Sequence, residues 1–501
     1  AIIMMKIKTT RGAKTMSNTH HFLHTDLYQI NMAKAYYDEG VHRRRAVFDL
    51  YFRSMPFDNG YAIFVGLERV LQYLQEWQLT DEDVAYLKSL NYDDDFLNVL
   101  KSLRFSGDVY SMLEGEVCFN NEPLIRVEGP LIEVQLVETA LLNFVNYQTL
   151  IATKASRIKQ VTTDKQQLME FGTRRAHEMD AAQWGARASV IAGFNGTSNV
   201  EAAKRFDLVP VGTHAHSFVQ AYNDEYEAFK AYARSHKECV FLVDTFHTLK
   251  SGVPTAIKVA NELKDSINFN GIRLDSGDIA YLSKESRKLL DEAGYTDTKI
   301  IVSNDLDEYT IQDLMHQGAK VDSWGIGTKL ITGYDDPALG AVYKLTAIEN
   351  EEGQLEDRIK LSNNAIKVST PGRKDVYRII NNVTGKSEGD YITLADEVPE
   401  EEQMIHLFHP VHTFKQKFIH DFTARPLLQL VMESGQRRYA KESIEAIQER
   451  VNHSLEELWD EYKRPSNPEE YPVDLSEACW ENKNQIIKNV GKYVKQVVNK
   501  K

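Results

Sequence analysis

The sequence predicts an α/β fold: an irregular parallel α/β barrel, preceded by an N-terminal α+β domain and followed by a smaller C-terminal extension. Three observations predict it. Between residues 166 and 336, short apolar runs of strand type alternate with stretches of helical spacing, the pattern of parallel strands joined by crossover helices. Nearly every run ends in charged, histidine-bearing or Gly-rich residues. Six such ends fit a barrel mouth, where all strand C-termini converge, better than an open sheet with one switch point. The flanking regions lack this regular alternation.

The implied organisation is a disordered leader or extension at 1–20, in which Met16 offers a natural start, an N-terminal domain at 21–165, the barrel at 166–336 and a C-terminal region at 337–501, whose strands return to the N-terminal domain and are followed by helices. The N-terminal segment is too short in its apolar run for a signal peptide, and no apolar run reaches the roughly 20 residues that span a bilayer. The net charge of −14 argues against nucleic acid or an anionic membrane surface as a partner. Any anionic substrate must be held by locally placed cations and backbone amides. Three widely spaced cysteines, Cys118, Cys239 and Cys479, form no CxxC motif and suit a reducing cytoplasm.

In chain order, Thr25 or Asp26 is the expected cap of a first helix, and Ala46–Phe52 reads as a strand. Leu67–Trp77 and Asp83–Leu90 have amphipathic helical spacing, and Glu133–Ile158 reads as one long helix. In the barrel block the strand runs are 168–171, 208–211, 240–243, 269–274, 300–302 and 321–326, with Pro210 sitting awkwardly in the second. Beyond Pro337, strands are expected at 339–348, 358–361 and 376–380. An acidic loop follows at 396–402, then a helix at 442–463 and a solvated Lys-rich tail from Lys483.

The strand ends carry the chemistry. In Gly325-Ile326-Gly327-Thr328, glycines let backbone N–H groups approach an oxyanion and Thr328 adds a hydroxyl, so the loop reads either as a phosphate cradle or as a tight turn. In Arg273-Leu274-Asp275-Ser276-Gly277-Asp278, Arg273 and Asp275 share a face of an extended chain. They could serve a carboxylate and a metal or ribose hydroxyl, or the acids could simply cap a helix. His214 and His216 read either as a metal pair, which with His247 would make a metal-dependent barrel hydrolase, or as a nucleophile or base beside a phosphate site. Arg174 and Arg175 suit a phosphate or diphosphate, or a solvated surface. Tyr28 and Phe171, taken alone, read as core aromatics. His20, His21 and His24 have metal-like spacing but fall at the leader. Neither a Walker A loop nor a dinucleotide fingerprint is present.

Five motifs, Thr25-Asp26-Leu27-Tyr28-Gln29, Phe171-Gly172-Thr173-Arg174-Arg175, Gly212-Thr213-His214-Ala215-His216-Ser217-Phe218, Arg273 to Asp278, and Gly325 to Thr328, occur in the order found in the nicotinate phosphoribosyltransferase family, which this chain resembles from about Thr25 through Gly372. The resemblance implies a type II phosphoribosyltransferase and a head-to-tail homodimer with shared active sites. The implied reaction takes nicotinate, 5-phosphoribosyl 1-diphosphate, ATP and water to nicotinate mononucleotide, diphosphate, ADP and phosphate, with Mg²⁺. It further implies that His216 is phosphorylated by ATP, that Phe171 and a partner-supplied Tyr28 sandwich the pyridine ring, and that Arg273 meets the carboxylate. Thr213 would be a further contact, and Arg174 a substrate cation. Asp244 and Asp275 would lie near the ribose, the metal and the histidine, with Asp275 as metal ligand, and Gly327 and Thr328 would hold the 5′-phosphate. Ser198 stands where the nicotinamide-using relative has Asp, so no negative charge opposes a carboxylate substrate.

Overall fold

The computed structural model describes residues 21–363 and 367–499; the expected leader, with His20, lies outside the described residues. Strand Arg45–Phe52 lies inside a seven-stranded antiparallel sheet. All but its first residue are buried, because helices or neighbouring layers cover both faces. It pairs on one side with Ile125–Pro130 and on the other with Ala341–Glu349. Leu355–Asp357, Asp108–Ser111, Gln429–Glu433 and Gln436–Arg437 complete the order. The N-terminal sheet is therefore built from both ends of the chain.

The run read as one helix from Glu133 is two, Leu131–Leu136 and Glu138–Gln160, with Val137 at the junction. The second helix joins the two main cores. Its Leu141, Phe144 and Val145 pack with the N-terminal sheet, whereas its Ile151, Ala155 and Ile158 pack with the barrel block. Between them, Thr149 and Thr153 accept the N–H groups of Val65 and Ile63 (3.2 and 3.1 Å), so the helix supplies hydrogen bonds to a short buried strand as well as apolar contact.

The predicted α/β class is what the chain adopts. Six parallel strands lie in the order Gly196–Thr197, Gln167–Glu170, Ser323–Ile326, Lys299–Asn304, Asn268–Leu274 and Glu238–Leu242, curled as a half-barrel with helices between them. Pro210 has no N–H to give a ladder, and the 208–211 run is reduced to one isolated parallel bridge to Thr197. No backbone ladder among the described residues closes that edge onto Glu238–Leu242. The helix that follows Glu238–Leu242 starts as a π-turn over Thr248–Gly252 running into Val253–Glu262.

The C-terminal region departs further from its reading. Residues 358–361 are not a strand; the strand is Leu355–Asp357. A four-stranded sheet, Phe422–Pro426, Lys374–Asn381, Ser387–Leu394 and Val473–Leu475, packs beside the N-terminal sheet. The Lys-rich tail continues a long terminal helix, Glu477–Asn499. The first helix, Leu27–Asp38, has Asp26 at its N-cap without a side-chain cap bond; that carboxylate instead accepts the Thr139 hydroxyl at 2.9 Å.

Candidate active site

Parallel strands put all their C-terminal ends on one edge, and the predicted motifs follow those ends. Glu238–Leu242 runs out into Asp244 and Thr245. Asn268–Leu274 contains Arg273 and is followed by Asp275. Lys299–Asn304 contains Ser303, Gln167–Glu170 leads to Phe171, Gly196–Thr197 to Ser198, and Ser323–Ile326 to Gly327 and Thr328.

His216 opens the short helix His216–Gln220. Its Nδ1 lies 3.0 Å from the Thr245 hydroxyl. Its Nε2 faces two carboxylates, Asp275 Oδ2 at 3.6 Å and Asp244 Oδ1 at 3.9 Å. Those distances are too long for hydrogen bonds and short enough for strong electrostatic contact. The two acids are held from behind. Asp244 Oδ2 accepts the Asp275 N–H (2.9 Å) and the Ser276 hydroxyl (2.6 Å), and Asp275 Oδ1 accepts the Ser303 hydroxyl (2.8 Å). Asp244 Oδ1 is buried and has no hydrogen-bond partner among the described residues. The helix after this loop, Ile279–Glu292, is capped by Asp278, so capping does not account for Asp275.

Arg273 donates from Nη1 to the Thr213 hydroxyl (2.8 Å) and the His214 carbonyl (3.1 Å), while its buried Nε finds no partner among the described residues. Burial pushes its guanidinium below the usual range, opposed by Asp275 and Asp244 and reinforced by the nearby Arg174. A desolvated cation with an unused donor is what a substrate carboxylate would complete. Arg174 itself is exposed, with no side-chain hydrogen bond or ion pair among the described residues.

Phe171 lies half-buried against the floor of the mouth. A Cβ on Gly325 would sit 2.5 Å from its ring, so only glycine lets the ring lie on this strand. The buried Glu170 braces the loop, accepting from the Gly172 N–H and from the Thr197 hydroxyl (2.6 Å), and burial pushes its carboxyl upward. Gly327 and Thr328 begin a four-residue helix, whose Lys329 pairs with Asp307 at 2.7 Å. Ser198 is exposed beyond its short strand. Tyr28 stands apart. It is 51% exposed on helix Leu27–Asp38, and no described contact joins it to the cluster.

His214 is turned the other way from His216. Its ring lies among Phe218, Phe229 and Tyr232, and its Nε2 accepts the Leu242 N–H at 3.3 Å. The side chain thus supplies, across the open edge of the half-barrel, an acceptor that a neighbouring strand would otherwise give. Burial pushes its imidazole down to about 4. The metal pair of His214 with His216 is therefore corrected, since the lone pair of His214 is already used. His247 likewise accepts the Lys250 N–H as a turn cap. Thr245 and Glu170 were missed in the sequence; Thr245 was signalled only by adjoining Asp244, and Glu170 by nothing.

Models of three regions of one family cover most of the chain: the nicotinate phosphoribosyltransferase N-terminal domain matches residues 23–146, the nicotinate phosphoribosyltransferase family 166–364, and its C-terminal domain 373–483. A Bacillus subtilis nicotinate phosphoribosyltransferase is 62% identical over 93% of this chain and 95% of its own. The chain belongs to the nicotinate phosphoribosyltransferase family. A Dictyostelium discoideum nicotinate phosphoribosyltransferase is 36% identical over 96% of this chain and 90% of its own. The crystal structure of human nicotinic acid phosphoribosyltransferase superposes with a TM-score of 0.82 at 30% identity, covering 92% of this chain and 99% of that one. Family membership favours the transferase over the hydrolase. No described helix is long and apolar enough to cross a membrane.

Proposed function

We propose that the protein is an ATP-coupled nicotinate phosphoribosyltransferase of NAD salvage. It would join nicotinate to 5-phosphoribosyl 1-diphosphate while ATP and water become ADP and phosphate. The observation that carries the reading is the mouth cluster: an imidazole facing two braced carboxylates, beside a buried guanidinium with an unused donor.

In this reading Arg273 binds the nicotinate carboxylate, Thr213 orients Arg273, and Ser198 keeps negative charge away from the acid. Phe171 stacks on the pyridine ring, and the exposed Tyr28 closes the other face from the partner subunit of a homodimer. Gly327 and Thr328 hold the 5′-phosphate, with Arg174 as a further cation for the substrate. Stacking and charge pairing fix the ring nitrogen against the anomeric carbon, which lowers the entropic cost of the encounter. The N–C bond forms as the bond to diphosphate breaks.

His216 is the phosphoryl acceptor. The two carboxylates stabilise the positive charge that its ring gains on attacking ATP. Hydrolysis of the resulting N–P bond can draw the transfer forward if the phosphorylated and free states differ in affinity for substrates or diphosphate. Asp275 and the unpartnered Oδ1 of Asp244 fit Mg²⁺, which takes one or two carboxylates together with substrate phosphates. When bound, Mg²⁺ would neutralise charge developing on the diphosphate. Three free, buried cysteines support a reducing, cytoplasmic setting.

Incubating the purified protein with labelled nicotinate and 5-phosphoribosyl 1-diphosphate, with and without ATP, tests the reading. Labelled nicotinate mononucleotide should form, faster with ATP; no product under either condition would refute it.

A further inference from the structure

We propose that a pocket of roughly 880 Å³, where strand Arg45–Phe52, the four-stranded C-terminal sheet and the terminal helix Glu477–Asn499 meet, is a second ligand site that takes a nucleotide. It shares no lining residue with the mouth cluster, and the proposal does not depend on the transfer reaction. Its size falls within the roughly 300–1,000 Å³ of small-molecule sites.

Two carboxylates line the pocket with hydrogen bonds unmade. Asp49, 1% exposed, gives Oδ2 to Lys374 Nζ at 2.8 Å, but its Oδ1 has no partner among the described residues. Asp474, 5% exposed, makes no side-chain hydrogen bond or ion pair among them, and burial, opposed by the nearby His406, pushes its carboxyl up to about 6. A buried acceptor without a donor is costly, so Asp49 Oδ1, with the unpaired Asp474 carboxyl lining the same pocket, calls for a ligand that brings hydroxyl or amino groups. A ribose diol does this, and acidic side chains recognise it in dinucleotide sites.

The same wall carries a cation short of partners. Among the described residues Lys483 holds only the Thr370 hydroxyl (3.1 Å), and burial pushes its ammonium down, which an anion would reverse. Lys374 is fully used, by Asp49 and by the carbonyls of Thr370 and Gly372, so it cannot serve that anion. The exposed Lys415 stands at the rim. Trp480, fixed by its indole N–H on the Pro410 carbonyl (3.1 Å), offers an aromatic face. Donors for two acids, an anion for Lys483 and a flat ring for Trp480 together describe ribose, phosphate and base.

Photolabelling of the full-length protein with 8-azido-AMP, followed by peptide mapping, tests this. Label should appear in peptides spanning Trp480 and Lys483 and be competed by AMP. It should fall at least tenfold in Lys483→Met and in Asp474→Asn, with the KM for nicotinate unchanged. Two variants on different elements guard against one failing to fold, which melting curves would reveal. Labelling confined to the barrel loops, no labelling, or C-terminal labelling that both variants retain would each overturn the proposal.

Discussion

Two of the charge clusters in this molecule are finished differently. At the junction of the C-terminal sheet with the N-terminal domain, Arg378 is fully buried and its charge is directly paired, although Arg425 Nε and Glu122 Oε2 beside it find no partner among the described residues. Its Nε and Nη2 meet both oxygens of Asp390 at 2.9 and 2.7 Å, and it also donates to Glu116 and the Val117 carbonyl. Asp390 takes Tyr471 as well, and Glu116 takes Arg425 and Ser454. At the barrel mouth, His216 stands 3.6 and 3.9 Å from its acids, and among the described residues one Asp244 oxygen is unpaired and Arg273 keeps a free donor. A network that holds the fold brings its opposite charges into direct contact; one that receives a ligand keeps them apart, with groups unsatisfied until the ligand arrives.

If that contrast is right, damage to the two networks should separate cleanly. His216→Ala is expected to have the largest effect on function: ATP stimulation is abolished, while slow ATP-independent transfer remains and the melting temperature barely moves. Stoichiometric ATP hydrolysis coupled to product in that variant would remove His216 from the mechanism. Arg378→Met should do the reverse. It leaves Asp390 and Glu116 as buried, underpaired charges, which costs about 3–5 kcal/mol. Denaturant melts should show that loss, with the KM for nicotinate unchanged in whatever fraction folds.

Arg273→Ala comes next and lies between the two classes. Losing a charge-assisted bond to the substrate carboxylate should lower kcat/KM for nicotinate about 10–100-fold, mostly through KM. An unchanged KM would show that the unused donor serves the fold.

The parts legible in the sequence follow from this division. Strand–helix alternation and polar strand ends exposed the half-barrel and most of the cluster, because open, ligand-facing groups are unusual where a strand simply ends. The resemblance supplied roles that spacing alone left open for Arg273 and Gly327. What stayed hidden depends on distant pairing. Strands of the C-terminal region are expected to return to the N-terminal domain, but no local pattern announces which of them pair beside Arg45–Phe52. Asp49 in the middle of an apolar strand makes sense only once Lys374 lies against it. His214 looked like a twin of His216, since a two-residue spacing does not say which way each ring turns.

The smallest expected effect concerns that ring. His214 bridges the unladdered edge by accepting the Leu242 N–H, and burial holds it neutral, at about 4 rather than near 6.5. Because the folded state binds its proton less readily than the unfolded chain does, its contribution to stability is complete above pH 6.5. That contribution drains away as pH falls from 6.5 toward about 4. His214→Asn keeps an acceptor that does not titrate, so its melting temperature should depend less on pH across this window. His214→Leu should lose about 1 kcal/mol at neutral pH, by leaving the Leu242 N–H without its acceptor. Identical pH slopes for wild type and His214→Asn would mean that the seam is held by the Arg273 bonds to Thr213 and the His214 carbonyl alone.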